Sequence, residues 1–310
     1  MNPIPITIFT GFLGAGKTTI INQLVKENPD IKFGFIINEF GEEGIDGQLI
    51  ENTGEEMVEL SNGCICCVVR GDLIKAAEKV INTGKVDYLI IEASGLAEPM
   101  PIAQTFYTNN LQGRLNLDGV ICIVDALNFK VTNETYRIAA EQIESADIII
   151  LNKTNEQETE IVEFLIQFIQ ELNPYAVIIN NIDGVDSKLV IDTGKWSPEK
   201  LSEEEEHHHE HDDIDEVVFV TDKYFDIKKL DEWMENKFPL NVVRVKGFLR
   251  VKGYQNEDML CLMQVVGAKK EFKKFNPTRK DFDYSKSRIV FIGKNIEGDK
   301  IKEELNNTLI

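Results

Sequence analysis

Residues 11–19 read Gly11-Phe12-Leu13-Gly14-Ala15-Gly16-Lys17-Thr18-Thr19 and fit the pattern Gly, four residues, Gly-Lys-Thr. The apolar run Ile6-Thr7-Ile8-Phe9 precedes them, and helical spacing (Ile20, Ile21, Leu24, Val25) follows. A glycine loop between a strand and a helix N-terminus aims successive backbone N–H groups and the helix dipole at one anion. The phosphate-binding residues are therefore Gly11, Gly14, Ala15, Gly16, Lys17, Thr18 and Thr19. In this reading the Lys17 ammonium bridges the outer phosphates and the Thr18 hydroxyl ligates Mg2+. A plain glycine turn would not need both flanks. The stretch predicts a nucleoside triphosphate site, with Lys17 facing solvent while the loop is empty.

Outward from this loop, short apolar runs alternate with helical patterns through the first 180 residues. Strands are expected at Ile6–Thr10, Phe33–Asn38, Tyr88–Ala93, Val120–Asp125, Ile148–Asn152 and Ala176–Asn180. Several are apolar throughout, as parallel strands covered on both faces are. Helices fit Lys17–Glu27, Asp72–Ile81 and Glu156–Leu172, the last closed by Asn173-Pro174. This is the rhythm of a doubly wound, mostly parallel α/β domain, whose ligands sit beyond the C-terminal strand ends. Thr10, Asn38, Glu92, Asp125 and Asn152 fall at those ends.

Periodicity is lost from about Asp183 to Glu216, where residues 199–216 carry a net charge of −9. A different composition follows, with strands expected at Val217–Thr221, Val242–Arg250, Met259–Val265 and Ile289–Ile292 and helices near Ile227–Lys237 and Lys300–Leu305. The expected organisation is 1–185 for the nucleotide domain, 186–216 for an acidic His-rich linker and 217–310 for a smaller α+β domain. The Lys269, Lys270, Lys273, Lys274 run reads as a solvated face.

The 310-residue chain has a net charge of −20, which argues against a nucleic-acid partner, since such binding rests on phosphate neutralisation. No apolar run approaches the roughly 20 residues of a membrane span, so no membrane partner is expected. Five cysteines, three of them within residues 64–67, suit a reducing compartment better than a disulfide framework. With the triphosphate loop starting almost at once and leaving no leader pattern, a cytoplasmic location is expected. The sequence does not read out an oligomeric state.

Glu92 closes the run Tyr88-Leu89-Ile90-Ile91 and precedes Ala93-Ser94-Gly95. A carboxylate there holds a water of the Mg2+ shell, and Gly95 lets a backbone N–H meet the γ-phosphate; the bland alternative is an acid that merely closes a strand. Catalysis is thus assigned to Lys17, Thr18, Glu92 and Gly95. Asn152-Lys153-Thr154-Asn155 nearly matches the Asn-Lys-x-Asp element that reads guanine. Asn152, Lys153 and Asn155 are therefore base-side contacts. Asn155 replaces the aspartate that accepts two charge-assisted hydrogen bonds, which weakens the guanine reading.

Cys64-Ile65-Cys66-Cys67 offers three soft ligands to a thiophilic metal such as Zn2+, or redox-active thiolates. Three are too few for a closed structural site; either a fourth ligand comes from elsewhere or the site is open for transfer. Cys122 and Cys261 fall inside strands and read as core. All four histidines, His207, His208, His209 and His211, lie among acids and make a weak, adaptable site for divalent metal. Their clustering leaves no histidine elsewhere to serve as a general base.

These motifs identify the chain as resembling the CobW family of P-loop GTPases, the metal-homeostasis group with zinc chaperones and the CobW proteins of cobalamin synthesis. The resemblance rests on Gly11–Thr19, Asn38-Glu39-Phe40-Gly41-Glu42, Asn62-Gly63-Cys64-Ile65-Cys66-Cys67 and Glu92-Ala93-Ser94-Gly95. Lys246-Gly247-Phe248-Leu249 and Arg288–Gly293 extend it to the C-terminal domain. It implies a P-loop NTPase domain, GTP bound by residues 11–19, and Mg2+ bound by Thr18 and Glu92. It also implies Zn2+ or Co2+ at Cys64, Cys66 and Cys67, with Glu42 as an added ligand from the first switch segment. The implied partner is a client metalloprotein or a cofactor-assembly protein. Asn155 departs from the family pattern, and Ile37 stands where some relatives carry a further metal-binding acid.

Overall fold

Thr10, Asp125 and Asn152, placed at strand ends by sequence, do close three neighbouring strands in the computed structural model. The structure describes residues 3–39, 56–61, 70–111, 113–181, 190–191, 194, 215–239, 241–253, 257–266, 269–275 and 284–310. They fall into two compact units, 1–212 and 213–310.

The first unit runs β1 (Ile4–Thr10), α1 (Lys17–Glu27), β2 (Phe33–Glu39), β3 (Glu56–Ser61), α2 (Arg70–Ile81), β4 (Tyr88–Glu92) and α3 (Pro99–Thr108). It continues with β5 (Leu115–Asp125), α4 (Phe129–Thr135), α5 (Arg137–Glu144), β6 (Ile148–Asn152), α6 (Thr159–Leu172) and β7 (Val177–Asn180). The strands form one seven-stranded sheet in the order β3-β2-β4-β1-β5-β6-β7, parallel at every pairing. Alternate residues of the apolar strands feed opposite layers. Phe9, Ile90, Ile121 and Ile150 pack under Ile20, Ile21 and Leu24 of α1. Ile8, Leu89 and Ile91 face Ala77, Val80, Ala103 and Phe106 of α2 and α3. Cys122, Val124 and Ile149 meet Ile143, Leu165 and Ile169 of α5 and α6. The sheet is doubly wound, with β1 and its loop at the centre.

Several elements depart from the expected list, the unforeseen helices α4 and α5 among them. β3 has acids at Glu56 and Glu59 and ends the sheet beside β2. α3 starts on Pro99, a residue suited to a first helical turn whose N–H has no partner to lose. β5 starts at Leu115, and its pairing with β1 shifts between Ile6 and Thr7, which leaves Asp118 as a bulge residue. That bulge is tied by side chains: the Tyr88 hydroxyl donates to Asp118 Oδ2 at 2.6 Å, and Thr7 Oγ1 lies 2.6 Å from the same hydroxyl.

The second unit contains β8 (Asp215–Thr221), β9 (Phe225–Asp226), α7 (Ile227–Asn236), β10 (Val242–Lys252), β11 (Asp258–Val266), β12 (Lys269–Lys274), β13 (Ser287–Gly293) and α8 (Gly298–Asn306). The sheet order is β12-β11-β10-β13-β8, with short β9 beside β10. Trp233, Leu230, Ile301 and Leu305 of the two helices pack on Val245, Met263, Ile289 and Phe291. The basic run 269–274 forms an edge strand with a solvated lysine face. Phe272 packs on the core while Lys270, Lys273 and Lys274 stay exposed, a charge pattern that discourages edge-to-edge pairing. Most of the expected linker 186–216 lies outside the described residues.

Candidate nucleotide site

The loop after β1 has three glycines in the left-handed region, Gly11 (φ 128°), Gly14 (74°) and Gly16 (101°). Two are also required by space. A Cβ on Gly11 would lie 2.2 Å from the Ile123 carbonyl oxygen, and one on Gly16 would lie 2.3 Å from Asn152 Nδ2. α1 follows at once with no acid in its first turn, so nothing on the helix itself neutralises its positive end. Lys17 does not face solvent, contrary to the sequence-based expectation. It is 6% exposed, and its Nζ donates to the carbonyls of Gly11 (2.7 Å) and Phe12 (3.3 Å). An ammonium has three donors and no acceptor, and the Gly11 and Phe12 carbonyls supply acceptors for it.

Glu92 is placed by register: it pairs with Phe9 across β1 and β4, which puts its side chain beside the start of α1. Thr18 Oγ1 donates to Glu92 Oε1 at 2.9 Å, with Glu92 5% exposed. These two residues, read separately from sequence, are brought together. Their donors are hard oxygens, the chemistry Mg2+ takes. The chain then continues from Ala93, whose N–H donates to Phe9 O at 2.9 Å, to Gly95. A Cβ on Gly95 would lie 2.7 Å from the Leu13 backbone nitrogen. The segment after Glu92 therefore rests directly on the phosphate loop, and only glycine permits that approach.

The Asn152-Lys153-Thr154-Asn155 motif is bonded to the same loop. Asn152 Nδ2 donates to Ala15 O (2.8 Å) and Lys153 Nζ to Gly14 O (3.0 Å). Lys153 has φ 62°, a left-handed conformation uncommon outside glycine. Asp125 holds it there: Lys153 Nζ lies 2.6 Å from Asp125 Oδ2. That carboxylate also accepts from Asn128 Nδ2 (2.8 Å) and Leu127 N–H (3.0 Å). In the sequence Asp125 reads only as a strand-end acid. Its partner Lys153 is 28 residues away, a separation that motif spacing does not reveal. Asn155 sits in a 3-10 turn, Thr154–Glu156, and is exposed.

Glu42, Cys64, Cys66, Cys67, His207, His208, His209 and His211 lie outside the described residues. Among the described residues, no group of three or more His, Cys, Asp or Glu is arranged to hold a metal ion. Cys122 and Cys261 are buried core residues, as expected. Burial pushes the Cys122 thiol up to about 12, against a smaller opposing pull from the Lys17 charge, so it remains a neutral thiol. No helix among the described residues is long and apolar enough to cross a membrane.

A glycine loop between a central parallel strand and a helix, a threonine at its end bonded to a strand-end carboxylate, and an Asn-Lys pair closing over it define a P-loop nucleotide-binding protein. The chain belongs to the CobW/HypB/UreG family: residues 5–180 match its nucleotide-binding domain, and residues 214–309 match the cobalamin synthesis protein cobW C-terminal domain. It is 35% identical over 271 residues to the zinc chaperone YjiA of Escherichia coli, covering 83% of this chain and 85% of that protein. It is 36% identical over 213 residues to the zinc-regulated GTPase metalloprotein activator 1 of Schizosaccharomyces pombe, covering 65% of this chain. The match spans about half, 52%, of that relative's length. Among solved structures, Zn(II)-bound YjiA GTPase from E. coli matches with a TM-score of 0.50 at 30% identity, covering 99% of each chain.

Proposed function

We propose that this protein is a Mg2+-dependent GTP hydrolase that binds zinc or cobalt and delivers it to a client metalloprotein or cofactor-assembly protein in a reducing cytoplasm. The single observation that carries the hydrolase reading is the Thr18–Glu92 hydrogen bond at the start of α1. Two hard oxygen donors beside the 11–19 loop support a cation site next to a bound triphosphate. Thr18 and Glu92 would hold Mg2+, and the ion would supply neutralisation of phosphate charge. The chain's own part is positional. Lys17 exchanges its loop carbonyls for phosphate oxygens, Gly95 offers a backbone N–H toward the γ-phosphate, and Asn152 and Lys153 hold the base-side segment against the loop. No histidine lies outside 207–211, so unless that segment folds back over the site there is no imidazole base, and on this reading intrinsic turnover is slow.

The metal half of the proposal rests on Cys64-Ile65-Cys66-Cys67, with Glu42 an added ligand and His207, His208, His209 and His211 a weaker site. The names of the relatives support it. Hydrolysis loosens the segments at 38–46 and 92–95 and biases metal release from the cysteine segment between them. The test is metal loading of the client with GTP and with a non-hydrolysable analogue. Loading that needs hydrolysis supports delivery; equal loading with both supports a nucleotide-binding metal buffer instead.

A further inference from the structure

Gln142 lies on α5, outside every motif above, and is 1% exposed. Its Nε2 donates to two carbonyls of the segment after Glu92, Gly95 O at 3.1 Å and Ala97 O at 3.2 Å. A buried carboxamide directs both donor hydrogens to one loop, at the residue where that loop touches Leu13 of the phosphate loop. The same helix is seated against the phosphate loop at its start, where Tyr136 packs on Phe12 with ring centroids 5.0 Å apart. Its end is seated too: Asn173 Nδ2 donates to the carbonyls of Ile143, Glu144 and Ala146.

We propose that Gln142 is a positioning residue for the triphosphate reaction. By fixing the Gly95 carbonyl, it makes the 95–96 peptide the static side of a hinge. The remaining freedom, the two soft dihedrals of Gly95, then rotates the 94–95 peptide, which carries the Gly95 N–H. Without the carboxamide both peptides turn together, and the N–H is no longer aimed when a γ-phosphate arrives. The proposal rests on the GTPase reading and extends it to a residue that touches neither nucleotide nor cation.

Gln142→Leu and Gln142→Glu test it in the full-length protein, with kcat, KM and the affinities for GTP and GDP measured at several pH values. Gln142→Leu is expected to lower kcat about tenfold to a hundredfold and to reduce the preference for GTP over GDP, leaving GDP affinity unchanged. In Gln142→Glu the buried carboxyl has a raised pKa; protonated it donates one hydrogen bond, and ionised it repels both carbonyls. Its turnover relative to the parent is therefore expected to recover as pH falls from about 8 to about 6. A kcat equal to the parent's in both variants overturns the proposal. So does an equal loss of GTP and GDP affinity with no pH-dependent recovery, which marks a merely structural amide. If the Gln142→Leu variant does not fold, the Gln142→Glu variant decides by its pH profile. A parent without turnover counts against the GTPase reading, and the GTP-to-GDP affinity ratio of the variants then decides for Gln142.

Discussion

Thr18 Oγ1 and Glu92 Oε1 lie 2.9 Å apart, joining the first turn of α1 to the last residue of β4 across 74 positions of sequence. Under the proposed function, a cation would replace this short bond. Glu92→Gln keeps the shape and an acceptor but removes the charge. It is expected to lower Mg2+-supported GTP turnover about a hundredfold or more, with the melting temperature close to the parent's. Steady-state phosphate release across a Mg2+ titration checks it.

Lys17→Ala is expected to abolish turnover and most GTP affinity. Because the lysine ammonium satisfies the Gly11 and Phe12 carbonyls, the variant is also expected to change stability slightly, by about 1 kcal/mol. Thermal melting and nucleotide titration on one sample separate the two effects. Parent-like turnover would remove the enzymatic reading.

Gly11→Ala meets the Ile123 carbonyl at 2.2 Å and forces alanine to φ 128°. The backbone strain alone costs about 1–3 kcal/mol, which is about 2–4 °C of melting temperature per kcal/mol in a domain of this size. A parent-like melting curve would mean that the loop relaxes away from β5.

Asn155→Asp restores two acceptors and a charge at an exposed turn. It is expected to raise GTP affinity by about tenfold to a hundredfold, the worth of one charge-assisted hydrogen bond, and to leave ATP affinity unchanged. Titrating both nucleotides into both variants reads the change; unchanged base preference would place base reading on another residue.

Cys122 gives the fold a signature in alkali. Folded, its thiol keeps its proton to about 12, against an ordinary 9.0; unfolded, it loses the proton earlier. Its contribution is therefore fully present below pH 9 and lost as pH rises toward about 12. Cys122→Ala is expected to flatten the fall of denaturation midpoint over that window. An unchanged slope would mean other groups govern it.

Apolar continuity makes the central strands legible, because β1, β4, β5 and β6 are covered on both faces and hold long apolar runs. β3 is not legible, since an edge strand can carry Glu56 and Glu59 and the apolar signal is diluted. β12 hides behind its lysines for the same reason, with Phe272 as its one apolar residue. At the site, Gly11–Thr19 and Glu92 can be read because phosphate and cation chemistry fix local patterns. Asp125 and Gln142 cannot: their partners are set by the packing of β5 and α5, and neither spacing nor composition records that. The burial of Lys17 escapes the sequence because its carbonyl partners exist only once the loop has closed.

The bonds from Asn152 to Ala15 and from Lys153 to Gly14 make the phosphate loop and the base-side turn one template of fixed span. A nucleotide presents its two ends to that template at once, so the second end engages at high effective concentration once the first is seated. Supplied as separate molecules, guanosine and tripolyphosphate gain none of this, and each alone is expected to hold far more weakly than the joined ligand.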